Sequence, residues 1–373
     1  MKVLVLSCNT GQGHNTAGKA IQEEFLCRGV ECDIVDALAF GGATFTKGTS
    51  FAYNQIVVKT PKLFVFGYRV CGAISTDRVK SPAYLVNKLY RRHTWRYIVR
   101  GGYDTLVMPH VFPAQTITSI RRHYPLDAGC YNVSTDYTDI PFLEDLDVDA
   151  IFVPHEQLMP DFEARDIRSP LVATGIPVSA RFLQHKPQEE ARTELGLPLD
   201  VPVYLLMSGS MGFGNLTDLI RALLKRGPKN AHLVVMGGNN EALKADLRRE
   251  FAGQRVTVLD FTDKVSDYMD AADVLFTKPG GLTTTEAAVK TIALVHTAPI
   301  PGVESANAAF FSKNKLSVTG DNLEELLHNA MPLLESEKAR EEMRARQAAF
   351  IHRNSAAEIC DYIEADYQKR RAR

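Results

Sequence analysis

Residues 276–307 (FTKPGGLTTTEAAVKTIALVHTAPIPGVESAN) bring together side chains suited to a phosphorylated, sugar-bearing ligand. The apolar run 274–276 reads as the end of a strand. Pro279, Gly280 and Gly281 then predict a tight turn whose backbone a ligand can approach with no Cβ in the way. A helix follows from Leu282 to Lys290. Thr283, Thr284 and Thr285 place hydroxyls and free N–H groups at its start, where the partial positive charge suits a phosphate. Glu286 lies one turn further in, poorly placed for phosphate and well placed for a ribose-like diol. After a second strand (292–296) and a Pro/Gly loop (299–302), Glu304 and Asn307 stand three residues apart. They share one helix face and offer polar groups to a further sugar. A plain strand–helix turn is the alternative, because such turns are common in α/β folds.

A second group of reactive side chains sits near the start. The apolar strand 3–7 (VLVLS) runs into the loop 9–15, which carries Gly11, Gly13 and His14. The following helix, 16–28, is closed by Gly29, and the strand 31–36 completes a βαβ unit. Its loop lies at the carboxyl end of the first strand, where open parallel sheets bind ligands. Histidine titrates near neutral pH, so His14 is a candidate general base; an exposed loop histidine is the alternative. Asp136, after the strand 129–134, is either a second candidate base or the group that orients His14. His110, after the strand 104–108, is a further polar candidate. Two better-known motifs fail by one residue each. Thr16 replaces the third glycine of a dinucleotide fingerprint, although Asp36 could serve as its ribose acid. Ala20 replaces the magnesium-binding hydroxyl of a P-loop.

These side chains need two parallel-sheet halves to position them. The second half opens with the strand 203–207 and another glycine loop carrying Ser208, Gly209, Ser210, Gly212 and Gly214, again a phosphate-type turn at a strand–helix junction. The hinge is expected between Gly175 and about Asp200, in a segment marked by Gly175 and Pro177. With 373 residues, 45% hydrophobic and 23% charged, the chain suits a soluble globular protein of two or three domains. The net charge of −1 gives no hint of nucleic acid. Residues 59–122 are different, with twelve basic side chains against two acids, together with Trp95 and an aromatic-rich stretch. That combination suits an anionic membrane surface; an ordinary basic helix face is the alternative. The acidic run Asp145-Leu146-Asp147-Val148-Asp149 precedes a strand rather than following one, so no metal ligand is expected there. Six scattered cysteines without a C-x-x-C spacing read as reduced thiols. The apolar N-terminal run is too short for a signal peptide, and no run of about 18 apolar residues exists to span a membrane.

The loop G-Q-G-H-N-T-A, with Asp36 after it, resembles the start of monogalactosyldiacylglycerol synthases and bacterial diacylglycerol glucosyltransferases. The order turn, hydroxyls, Glu286, second loop, Glu304/Asn307 resembles the nucleotide-sugar signature of family 28 glycosyltransferases. Gln12, Val111 and Val303 depart from the family's usual residues, and the last leaves its sugar contacts open. The resemblance covers most of the chain and is weakest over residues 41–100. It implies an α/β fold of two facing Rossmann-like domains (GT-B type) with an interdomain cleft. The expected boundaries are 1–175 for the acceptor domain, 176–200 for a linker and 201–345 for the UDP-sugar domain. A helix within 346–373 would return to the first domain. By the same resemblance Phe261, Thr262 and Val265 lie in the uracil-contacting segment, and the glycine turns hold the diphosphate. The implied reaction moves a hexose from UDP to diacylglycerol or its glycoside, with inversion, no metal and no cofactor. The implied place is the inner, cytoplasmic face of the cell membrane. A UDP-sugar epimerase, a peptidoglycan-type N-acetylglucosaminyltransferase and an inactive nucleotide-sugar-binding module are the alternatives.

Overall fold

A computed structural model describes residues 1–8, 12–41, 90–208 and 216–372. The chain divides into two units. Unit 1 holds Met1–Ala180, Pro301–Val303 and His352–Arg373, and unit 2 holds Arg181–Ile300 and Glu304–Ile351.

Unit 1 is built on six parallel strands: β1 (Lys2–Ser7), β2 (Glu31–Asp36), β3 (Thr105–Met108), β4 (Gly129–Val133), β5 (Ala150–Val153) and β6 (Leu171–Ala173). Their order is β2-β1-β3-β4-β5-β6. β1, β3, β4 and β5 are almost wholly buried, which is why they read as unbroken apolar runs rather than alternating ones. Helix α1 (Gln12–Cys27) crosses over after β1. It lies close to the sheet because Gly18 has no side chain: a Cβ there would stand 3.1–3.3 Å from Val5, Ile34 and Pro109. Gly18 thus provides the close helix–sheet approach that Thr16 cannot give. Gly29, at φ 74°, ends the turn after α1. Helices α2 (Arg91–Gly101) and α3 (Val111–Arg121) follow.

The C-terminal helix, Ser355–Arg371, packs on α1 and adds Ile359, Cys360 and Ile363 to a core containing Val5, Ile21, Phe25, Val107 and Phe152. Arg28 ties the two helices, pairing with Glu24, Asp361 and Glu364 and donating to the Ala357 carbonyl.

Unit 2 carries five parallel strands: β7 (Val203–Met207), β8 (His232–Met236), β9 (Val256–Leu259), β10 (Val274–Thr277) and β11 (Ala293–His296). Their order is β11-β10-β7-β8-β9. The helices that matter for function are α4 (Val265–Ala271), α5 (Gly281–Val289) and α6 (Val303–Lys313). Part of the expected linker is structured within this unit. The helix Gln188–Leu195 is anchored by buried Arg192, which pairs with Asp273 at 2.8 Å and donates to the Ala271 carbonyl. Both sheets reverse strand order once, between β1 and β3 and between β7 and β10. Open α/β sheets bind ligands at the carboxyl ends of such strands.

Candidate active-site residues

The turn after β10 leads directly into α5, on one side of unit 2's reversal point. Gly280 is the helix N-cap, with φ −73° and no side-chain cap bond. A Cβ on Gly280 would meet nothing within 4 Å, so neither backbone strain nor packing demands glycine there. Both observations leave the first-turn amides open to an anion. Gly281 and Leu282 are buried and Thr283 is half-buried at this end. The other two threonines are engaged inside the protein. Thr284 contacts His296 Nε2 at 3.2 Å, and Thr285 donates to the Gly281 carbonyl. Their hydroxyls hold the helix start together, so the expected triple hydroxyl cluster reduces to Thr283. His296 is also met by Ser317 at 3.0 Å, and burial pulls its pKa down to about 3.

Glu286 is buried, and its carboxylate has no hydrogen-bond partner among the described residues. Burial pushes its pKa up to about 8; the positive charge of Arg181 only partly opposes this. A buried, unpartnered carboxyl of this kind is costly to keep and marks a functional-site candidate.

Glu304 and Asn307 do share a face of α6, but both are engaged with the turn. Glu304 pairs with Lys278 Nζ at 2.6 Å and accepts from the Ile300 amide at 2.9 Å. Buried Asn307 donates to the Pro279 carbonyl at 3.0 Å. In this structure both side chains help shape the glycine turn. The orphan carbonyl and amide of a Pro/Gly loop need such partners. Lys278 is the residue the sequence reading passed over. It reads as a strand-end lysine, and only Glu304 at the start of α6 reveals its position.

Ser208 directly follows β7 and is buried, with its hydroxyl donating to the Met236 carbonyl. Gly209, Ser210, Gly212 and Gly214 lie outside the described residues. Phe261 is 76% exposed. Thr262 Oγ1 accepts from the Lys264 amide at 3.1 Å, and Val265 begins α4.

In unit 1, Gly13 and His14 belong to the first turn of α1 rather than to a loop. Asn15, in the same turn, accepts from the Ser7 hydroxyl at the end of β1. His14 Nδ1 is 2.8 Å from Thr135 Oγ1. Its ring meets His110 edge-on, with centroids 4.4 Å apart. Burial pulls the His14 pKa down to about 4, partly offset by a hydrogen bond to the Pro109 backbone. Burial, then the nearby His14, also holds His110 well below the usual range. His110 caps α3 by accepting from the Phe112 amide. His14 and His110 therefore flank the β1/β3 reversal point. The group at His14 Nδ1 is Thr135, not its half-buried neighbour Asp136. No single-sequence signal separates two adjacent polar residues at a strand end.

The acidic run is also accounted for. Arg121 pairs with Asp149 at 3.0 Å and lies 3.8 Å from Asp147, while Asp149 accepts from the Cys130 amide. On α2, Arg92, Arg96, Tyr97, Val99 and Arg100 are exposed. Trp95 donates to the Pro125 carbonyl and stacks on Tyr124 at 4.9 Å. The basic residues from Lys59 to Lys88 lie outside the described residues. Among the described residues, no helix is long and apolar enough to cross a membrane.

A family model described as glycosyl transferases group 1 matches residues 188–349. Curated relatives named processive diacylglycerol beta-glucosyltransferase match almost end to end. The Bacillus pumilus protein is 24% identical over 97% of this chain and 94% of its own length. The Bacillus subtilis protein is 24% identical over 96% and 93%. Among solved structures, Acinetobacter baumannii MurG aligns over 98% of this chain and 99% of its own, with 15% identity and a TM-score of 0.66. A UDP-bound Staphylococcus aureus MnaA structure aligns over 99% and 97%, with 12% identity and a TM-score of 0.63. The resemblance read from the G-Q-G-H-N-T-A loop and the PGG turn therefore holds along nearly the whole chain. The chain is a glycosyltransferase with the GT-B fold, similar over nearly its full length to the processive diacylglycerol glucosyltransferases.

Proposed function

We propose that the protein transfers a hexose from a UDP-sugar to the hydroxyl of diacylglycerol or of a glycosyl-diacylglycerol, at the inner face of the cell membrane. The observation that carries the donor half is the pairing of an uncapped α5 start at Gly280 with the unpartnered Glu286 one turn behind it. The α5 amides, Gly280, Gly281, Leu282 and Thr283 take the diphosphate. Glu286 takes the ribose hydroxyls, to which a protonated carboxyl can both donate and accept. Exposed Phe261 and the backbone of Thr262 and Val265 take the uracil. The Ser208–Gly214 segment and Lys278 supply further donors and charge to the phosphates. These groups stabilise the leaving UDP, the part a divalent cation would otherwise take, so no metal is required for the step.

On the acceptor side, His14, positioned by Thr135, takes the acceptor proton. Burial keeps His14 uncharged at neutral pH, so it enters as a base. The acceptor oxygen attacks the anomeric carbon as the bond to UDP breaks from the opposite face, inverting that centre. Asp136 is the alternative base. The exposed arginines and apolar side chains of α2 suit an anionic bilayer.

The test is transfer of radiolabelled glucose from UDP-glucose to diacylglycerol in vesicles. Appearance of a monoglucosyl lipid is expected. UDP release with no lipid product, or interconversion of the free UDP-sugar, would replace this reading with a hydrolase or an epimerase.

A further inference from the structure

One cluster in unit 1 stands apart from these residues. His155 follows β5 and caps the short 3-10 turn Glu156–Leu158; His352 precedes the C-terminal helix. One ligand atom each from His155, Glu156 and His352 lies within 4.8 Å of the others. The two imidazoles meet edge-on, with centroids 5.6 Å apart. His352 Nε2 is 2.9 Å from the Glu156 carboxylate. His155 is 7% exposed, while Glu156 is open to water and gives an entry path.

We propose that His155, Glu156 and His352 form a site for one zinc ion that fastens the C-terminal segment to the turn after β5. Two imidazoles and a carboxylate are a donor set zinc takes readily, with water as fourth ligand. The three donors come from two segments of unit 1, the turn after β5 and the start of the C-terminal segment, with Glu156 and His352 separated by 196 residues, and converge at one point. Glu358 lies 3.6 Å from His352 Nδ1, close enough to move into a hydrogen bond with the nitrogen that does not ligate the ion. His155 Nδ1 lies 3.5 Å from Glu156 and accepts from the Gln157 amide at 3.1 Å. The ion takes that lone pair, and the Gln157 amide turns to solvent, which it can reach because Gln157 is exposed. The role is structural, separate from the glycosyl transfer.

The test is titration of the chelator-stripped full-length chain with zinc, in competition with a chromophoric chelator. One equivalent is expected to bind. His155→Ala and His352→Ala should each weaken binding at least about 100-fold, and Glu358→Gln about 10-fold. Zinc should raise the thermal midpoint of the wild type and not that of the two alanine variants, because a ligand stabilises only the state it binds. If an alanine variant fails to fold, Glu156→Gln, at an exposed side chain, decides the question by the same affinity loss. Undiminished zinc affinity in these variants, or no saturable equivalent in the wild type, overturns the proposal.

Discussion

The two reversal points of the molecule place polar side chains in opposite ways. Beside β10, Glu286 is buried without a partner and its proton affinity is raised. Between β1 and β3, His14 is held by Thr135 and packed against His110, and its proton affinity is lowered. Burial favours the neutral form in both cases. At the first site neutrality leaves a carboxyl able to give and take hydrogen bonds. At the second it leaves an imidazole lone pair ready to accept a proton. One physical cause thus yields a binding group in one unit and a base in the other.

The comparison breaks most sharply at His14. His14→Ala should lower transfer by roughly 10²–10⁴-fold, the usual worth of a general base, with UDP affinity by calorimetry unchanged. Near-normal turnover in that variant, with loss in Asp136→Asn, would move the base to Asp136. The wild-type rate should also stay flat as pH falls from 7 to 5, because His14 protonates only near pH 4.

Glu286 tests the other half. Glu286→Ala should weaken UDP binding by about 0.5–1.5 kcal/mol for each ribose hydrogen bond lost, the value of a bond between neutral groups. Its effect on stability should have the opposite sign. Folding raises the Glu286 pKa from 4.5 to about 8. Across that window the unfolded chain releases a proton that the folded chain keeps, so stability falls as pH rises. Glu286→Gln should therefore gain stability over wild type between pH 5 and 8, reaching on the order of 3–5 kcal/mol. Equal denaturant midpoints at pH 8 would show that the carboxyl is solvated.

Thr135→Val sharpens the positioning role of its hydroxyl. About a tenfold loss of kcat with unchanged UDP affinity is expected, while the acid limb stays low, because burial and not the Thr135 hydroxyl holds the His14 pKa down. The α2 effect should be confined to membrane binding, with little change in turnover once the enzyme is on the vesicle. Replacing Arg92, Arg96 and Arg100 by Gln should weaken binding to anionic vesicles by about 1 kcal/mol per charge, and only at low salt. Binding that ignores both lipid charge and salt would leave these arginines a solvated helix face.

Most of the architecture was readable because parallel strands buried on both faces are continuous apolar runs, and those of β1, β3, β7 and β10 stand out in the chain. β6 was missed. It has three half-buried residues and no periodicity to betray it. The glycine turns and Glu286 were legible because turn chemistry is local. What could not be read was which polar groups were already engaged. Glu304, Asn307, Thr284 and Ser208 each look like ligand donors in sequence, and each meets a partner from a distant segment. Thr135 was hidden for the converse reason: its importance comes from a histidine 121 residues earlier.

The seating of the C-terminal helix on α1 bears on how the chain acquires its shape. Unit 1 draws its core from both ends of the sequence, whereas unit 2 is nearly continuous. During synthesis unit 2 emerges whole while unit 1 still lacks Ile359 and Ile363, two side chains each worth about 1.5–3 kcal/mol when fully buried. Domains fold as units and non-local contacts form slowly. The core around Ile21 and Phe25 can therefore be completed only after residues 355–371 have been made.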